Sequence, residues 1–66
     1  MRIDRVKLIA TMAKRDITCT RLAKLTGMSR STITSARSGK SCTYETARLI
    51  AGALRVDVED LQEEAK

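Results

Sequence analysis

The sequence predicts an all-α fold, a compact bundle of four to five short helices, and three observations carry that reading. Proline is absent and only three glycines occur in 66 residues, too little punctuation for a turn-rich sheet. Apolar residues recur at spacings of three and four along most of the chain. Tyr44 is the only aromatic side chain, so the core must be aliphatic. A chain this short makes one domain, residues 1–66, and buries roughly 60% of the surface its unfolded form exposes, which leaves stability marginal.

A first helix is expected from Arg2 to about Lys14. Ile3, Val6, Ile9, Ala10 and Ala13 recur at helical spacing and are assigned to the core, with Leu8 and Met12 on the flank. Arg2, Arg5, Lys7 and Lys14 take the polar positions. A basic amphipathic helix can lie on a membrane or a partner protein, but a core helix with a solvated basic face is the simpler reading and is adopted. The second helix is expected from Cys19 to Leu25, capped by Thr18, with Leu22, Ala23 and Leu25 as its apolar residues. Gly27 suits the residue just past its end, where a positive φ carries no steric cost. Ser29 caps a third helix, Arg30 to Arg37, which Gly39 ends. Thr43 caps a fourth, Tyr44 to Leu54, burying Ala47, Ile50, Ala51 and Leu54, with Glu45 in a first turn where the helix dipole favours an acid. Gly52 inside it costs on the order of 1 kcal/mol relative to alanine, which hints at close packing there. Asp57 caps a short fifth helix, Val58 to about Glu64, with Leu61 facing inward.

Charge is uneven. Residues 1–44 carry ten basic and two acidic side chains, and residues 45–66 carry three basic and six acidic ones, for a net charge of +5. Between Lys14 and Tyr44 the only acid is Asp16. A basic front with an acidic tail points to a polyanionic partner on one side. With no histidine and only Cys19 and Cys42, a zinc site is not expected, since zinc takes about four ligands. No cofactor is expected, and no cluster of acid, base and nucleophile suggests an enzyme. No apolar run approaches the roughly 18 residues a membrane span needs, and no signal peptide is visible. No membrane association is expected; the chain is expected in the cytoplasm, with reduced thiols.

Residues 29–41, SRSTITSARSGKS, form the most informative stretch. Serine and threonine are middling to poor helix formers, because their hydroxyls compete for the backbone. Yet Ile33 and Ala36 keep helical spacing. On a wheel of about 100° per residue they define a buried side. Ser31, Thr34, Ser35 and Ser38 lie opposite, with Arg30 at the leading edge. Small hydroxyls let a helix sit deep in a groove, and arginine pairs bidentately with guanine O6 and N7. Ala23 is small enough for two helices to cross closely, Gly27 permits a tight turn, and Met28, Ile33 and Ala36 anchor the helix that follows. This is a helix-turn-helix pattern at about residues 18–38, whose second helix can enter the major groove.

The segments ITCTRLAKLTGMSRSTI (17–33), SGK (38–40) and TARLIAGALRVDVEDL (46–61) resemble the phage-repressor-like, Cro/Xre-type helix-turn-helix proteins. The resemblance implies a lambda-repressor-like fold and a dimeric transcriptional regulator on inverted-repeat DNA. By position it implies base reading at Arg30, Ser31 and Ser35, with Thr34 as a further candidate. It implies phosphate contact at Thr18, Cys19, Ser29, Ser38, Lys40, Ser41 and Thr43. Helix N-termini at Thr18–Cys19 and Thr43–Tyr44 also offer N–H groups to phosphate. Cys19 replaces a frequent glutamine and reads either as a phosphate contact or as a small half-buried residue. Arg37 replaces a frequent glutamate and reads either as a phosphate contact or as a solvated arginine. Leu49 stands at an often polar position, either as a contact for a second subunit or as a shifted core residue. The expected partners are double-stranded DNA and a second copy, meeting near Leu49, Leu54, Val56 and Val58. So small a core scarcely allows a small-molecule pocket. Two rival roles share the fold: a protein-interaction module such as an antirepressor or adaptor, and a recombination accessory such as an excision factor.

Overall fold

Each helix starts where a short polar side chain can take up N–H groups that the helix itself leaves without partners. In the computed structural model, which describes residues 2–63, these starts define α1 (Arg5–Arg15), α2 (Cys19–Thr26), α3 (Arg30–Arg37) and α4 (Tyr44–Leu54), followed by a 3₁₀ turn at Val58–Asp60. Asp4 Oδ1 accepts from the N–H groups of Val6 and Lys7 at 2.9 and 3.2 Å. Thr18, Ser29 and Thr43 each accept from the N–H three residues on, all at 3.2 Å. The predicted caps of α2, α3 and α4 are therefore the observed ones.

Helix ends follow the same local logic. Asp16, Gly27 and Arg55 adopt left-handed backbone angles after α1, α2 and α4, with φ of 56°, 74° and 60°. Behind Asp16 the Ile17 N–H donates to the Met12 carbonyl at 2.9 Å, and behind Arg55 the Val56 N–H donates to that of Ala51 at 3.0 Å. These bonds satisfy carbonyls the last helical turn leaves open.

The first helix differs from expectation at its start and in its face. It begins at Arg5, because Asp4 caps it and the preceding residues are extended. Arg2 forms an antiparallel bridge with Ser41, and Ile3 with Gln62. The Asp4 N–H donates to the Leu61 carbonyl at 2.7 Å, and the Glu63 N–H to that of Arg2 at 3.0 Å. Ile3 is fully buried, but as the residue before the cap, and Leu8 is buried on the fourth position of the helix. That spacing matches a hydrophobic staple. Leu8 and Met12, assigned to the flank, are the side chains α1 buries, whereas Val6 is 68% and Ile9 43% exposed, and Ala10 and Ala13 are exposed too. One stripe of a helix can face the core, and Ile3, buried ahead of the cap, joins Leu8 and Met12 in the cluster that turns that stripe inward.

A single cluster joins Ile3, Leu8 and Met12 to Leu22 from α2, Ile33 and Ala36 from α3, Ala47, Ile50, Ala51 and Leu54 from α4, and Leu61. Ala23 and Met28 pack against it from the turn region. The four inward residues of α4 are those expected. Leu25 is not in the core; it is 48% exposed at the end of α2. Leu54 is fully buried, which removes it from any contact with a second subunit. A Cβ at Gly52 would meet nothing within 4 Å, so the inferred close packing is absent. The expected fifth helix is only a 3₁₀ turn, because the Leu61 carbonyl and the Glu63 N–H are taken by the extended N-terminal segment. Its expected end at Glu64 lies outside the described residues. Leu61 does face inward. Neither cysteine is disulfide-bonded, and partial burial pushes the Cys42 thiol up. No helix among the described residues is long and apolar enough to cross a membrane.

Candidate nucleic-acid interface

The surface that α3 shares with the start of α2 collects most of the predicted site. Ile33 is fully buried and Ala36 nearly so, which turns the opposite side of α3 outward. Arg30, Ser31, Thr34, Arg37 and Ser38 are exposed there, and Ser35 is half-buried at the edge of that face. None of the eight residues of α3 is acidic.

Hydrogen bonds fix what several of these hydroxyls can still offer. The Thr34 hydroxyl donates to the Arg30 carbonyl at 2.9 Å, so toward a base edge it presents lone pairs and a methyl group. The Ser38 hydroxyl donates to the Ser35 carbonyl at 2.9 Å, and its N–H points back to the Thr34 and Ser35 carbonyls. A phosphate contact from Ser38 requires its hydroxyl to turn away from Ser35. Ser29 sits 2.9 Å from the Thr32 hydroxyl as well as capping α3. Thr18 accepts from Arg21 as a cap and keeps its own proton to donate. Thr43 donates to the Thr46 hydroxyl at 2.9 Å, so the donors left open at the head of α4 are the N–H groups of Tyr44 and Glu45.

Arg30 and Arg37 meet the N-terminus of α2. Both line an open hollow of about 390 Å³ with Thr18, Cys19 and Thr20, above a floor that includes Met12 and Ile17. Arg37 Nη1 donates to Cys19 Sγ at 3.5 Å, which carries its guanidinium across from α3 to α2. Cys19 is half-buried, as the second of its two sequence readings expects, and its sulfur accepts from this arginine. The N–H groups of Cys19 and Thr20, in the first turn of α2, have no partner inside the helix and face the same region.

Lys40 and Ser41 lie apart, in the loop after α3, where both are exposed. The Lys40 N–H donates to the Ser35 carbonyl at 3.2 Å, holding the loop to the end of α3. The bridge to Ser41 brings Arg2 beside this loop. Sequence reasoning missed Arg2 as a neighbour of the site, because it was placed inside the first helix; the signal was Asp4, a strong cap followed by a basic residue.

The profile of the Cro/C1-type HTH DNA-binding domain matches residues 7–63. No curated protein sequence matches the chain. Among solved structures, a point mutant of hydroxyethylphosphonate dioxygenase is similar over the whole chain at 29% identity, with a TM-score of 0.86. PhpD with cadmium atoms is similar at 29% identity and a TM-score of 0.83. In both cases the likeness covers 100% of this chain but 14% of the other. It concerns a small part of those proteins.

Proposed function

The chain belongs to the Cro/C1-type HTH DNA-binding domain family, and on that premise we propose that it is a sequence-specific double-stranded DNA-binding regulator. It acts as a repressor in the cytoplasm, its 66 residues forming one DNA-binding domain, without enzymatic activity or a cofactor. The observation that carries this reading is the exposed face of α3, free of acids and bordered by Arg30 and Arg37.

On this account α3 enters the major groove. Arg30 reads a guanine, while Ser31, Thr34 and Ser35 face base edges, Thr34 as an acceptor and methyl contact. Thr18, Cys19, Arg37 and the first N–H groups of α2 hold one phosphate run. Ser29, Ser38, Lys40, Ser41 and the head of α4 at Thr43 hold the neighbouring ones. Phosphate contacts set the register and base contacts set the sequence.

One helix in one groove makes few contacts, so two copies on half-sites a helical turn apart, about 34 Å, combine their affinities. Leu25 and Leu49, 48% and 45% exposed, share a groove with Gly52 and Ala53. Glu45 and Arg48 line the same groove, so a two-fold pairing can set each acid against the other copy's arginine. This groove is the proposed dimer contact.

Titration of the isotopically labelled chain with an operator duplex tests the assignment. Amide shifts concentrated in residues 18–20, 29–38 and 40–44 are expected. Shifts confined to the Leu25–Leu49 side would contradict it.

A further inference from the structure

An apolar stripe of α1 lies outside the core cluster. Val6, Ile9, Ala10 and Ala13 are exposed at positions that share one side of the helix, and Val6 alone is 68% exposed. Two open hollows flank Ile9. One, of about 420 Å³, is lined by Arg5, Val6, Ile9, Thr34, Arg37 and Ser38. The other is the hollow beside α2, which Ile9 and Ala13 also line, with Arg30 and Arg37. None of the described residues lining either hollow is acidic.

We propose that this face of α1 is a docking surface for an acidic amphipathic helix of another protein, which displaces DNA when it binds. The stripe from Val6 to Ala13 runs about 10 Å, two turns of helix, which suits a partner of similar length lying alongside. Its apolar side chains fill the hollows on either side of Ile9, and its flanking carboxylates reach Arg5, Arg37 and Arg30. Charge complementarity selects this occupant, since the charged side chains lining both hollows are all arginines, which attract an acidic helix and repel a basic one. A lipid surface fits less well, because the hollows on either side of Ile9 suit the discrete side chains of a partner helix. Arg30, Thr34, Arg37 and Ser38 belong both to these hollows and to the proposed DNA face, so partner and DNA exclude each other. Only that exclusion rests on the DNA-binding reading; the docking surface stands without it.

The test uses the full, isotopically labelled chain and two synthetic helical peptides of about three turns. Both carry leucines at helical spacing; one has glutamates on the flanks, the other lysines. The glutamate peptide should give saturable shifts at Val6, Ile9, Ala13 and Arg37. Val6→Ser and Arg37→Glu, both at exposed positions, should each weaken it tenfold or more while the circular dichroism spectrum stays native. Excess glutamate peptide should release labelled operator DNA. Equal binding of both peptides, shifts elsewhere, or no saturation at millimolar peptide would overturn the surface. So would the same shifts appearing on concentrating the protein alone, or tighter binding to phosphatidylglycerol vesicles through Val6 and Ile9. Saturation of the patch with DNA still bound would overturn the exclusion alone.

Discussion

Arg37 Nη1 donates to Cys19 Sγ at 3.5 Å, so the C-terminal end of α3 is tied to the N-terminal end of α2 by one side chain on each. A guanidinium that could sweep freely is instead held beside the first turn of α2 and close to Arg30. Pre-orientation of this kind would lower the entropy lost in the proposed phosphate contact.

Arg37→Ala should therefore weaken binding to all DNA sequences alike and make the dependence of affinity on salt shallower by about one unit. The side chain is exposed, so the stability change should stay within about 0.5 kcal/mol. Binding titrations over a range of salt concentration check this. A change in which sequence is preferred would place Arg37 among the base readers instead.

Lys40→Ala should show the same uniform loss, again with a slope shallower by about one unit, because Lys40 sits in the loop after α3 and away from its reading face. Combined with Arg37→Ala the slopes should add, since the two side chains would meet different phosphates. An unchanged slope in the single Lys40 variant would take that loop out of the interface.

Arg30→Ala should behave differently. It should lose roughly 1–3 kcal/mol on the best site and relax the choice of one base pair, with much smaller losses on other sequences. Competition binding against single-base variants of the site measures this. Intact base preference would move the reading face away from the head of α3.

Asp4→Ala should cost about 1 kcal/mol of stability by removing the acceptor for the Val6 and Lys7 N–H groups. In a domain this small that is a visible shift in the urea midpoint. Because Asp4 pairs with Leu61 through its backbone, the bridge to the C-terminal segment should survive. A variant as stable as the parent would mean that Asp4 is not the effective cap.

Alkaline pH should destabilise the fold partly through Cys42. Burial raises its folded pKa above the usual thiol value of 9.0, so above that value the unfolded chain releases the proton first. The stability this provides is complete below pH 9.0 and is lost as pH climbs toward the raised folded value. Urea midpoints at neutral and alkaline pH should fall further for the parent than for Cys42→Ala. Equal falls would assign the alkaline loss to other groups.

Local signals were the legible ones. Thr18, Ser29 and Thr43 announce helix starts by their own chemistry, and Gly27 announces a left-handed turn, so α2, α3 and α4 follow from short stretches. The outer face of α3 follows from Ile33 and Ala36 alone. What sequence could not settle was competition between two apolar stripes on α1. Val6–Ile9–Ala13 and Leu8–Met12 both have helical spacing, and the choice is made by neighbours distant in sequence. Likewise, nothing near Arg2 or Ile3 says that the segment pairs with Ser41 and Gln62 and stops the last helix short. The Arg37–Cys19 contact spans 18 residues and depends on the angle between α2 and α3, which side-chain spacing does not encode.

Selection from a randomised duplex library at near-physiological salt, with the bound fraction sequenced, tests the central claim most directly. Enrichment of an inverted repeat whose half-sites lie about ten base pairs apart is expected, with a guanine preference that Arg30→Ala erases. Weak, salt-sensitive binding with no enriched sequence would contradict that claim and leave the docking surface proposed on α1 as the one to test next.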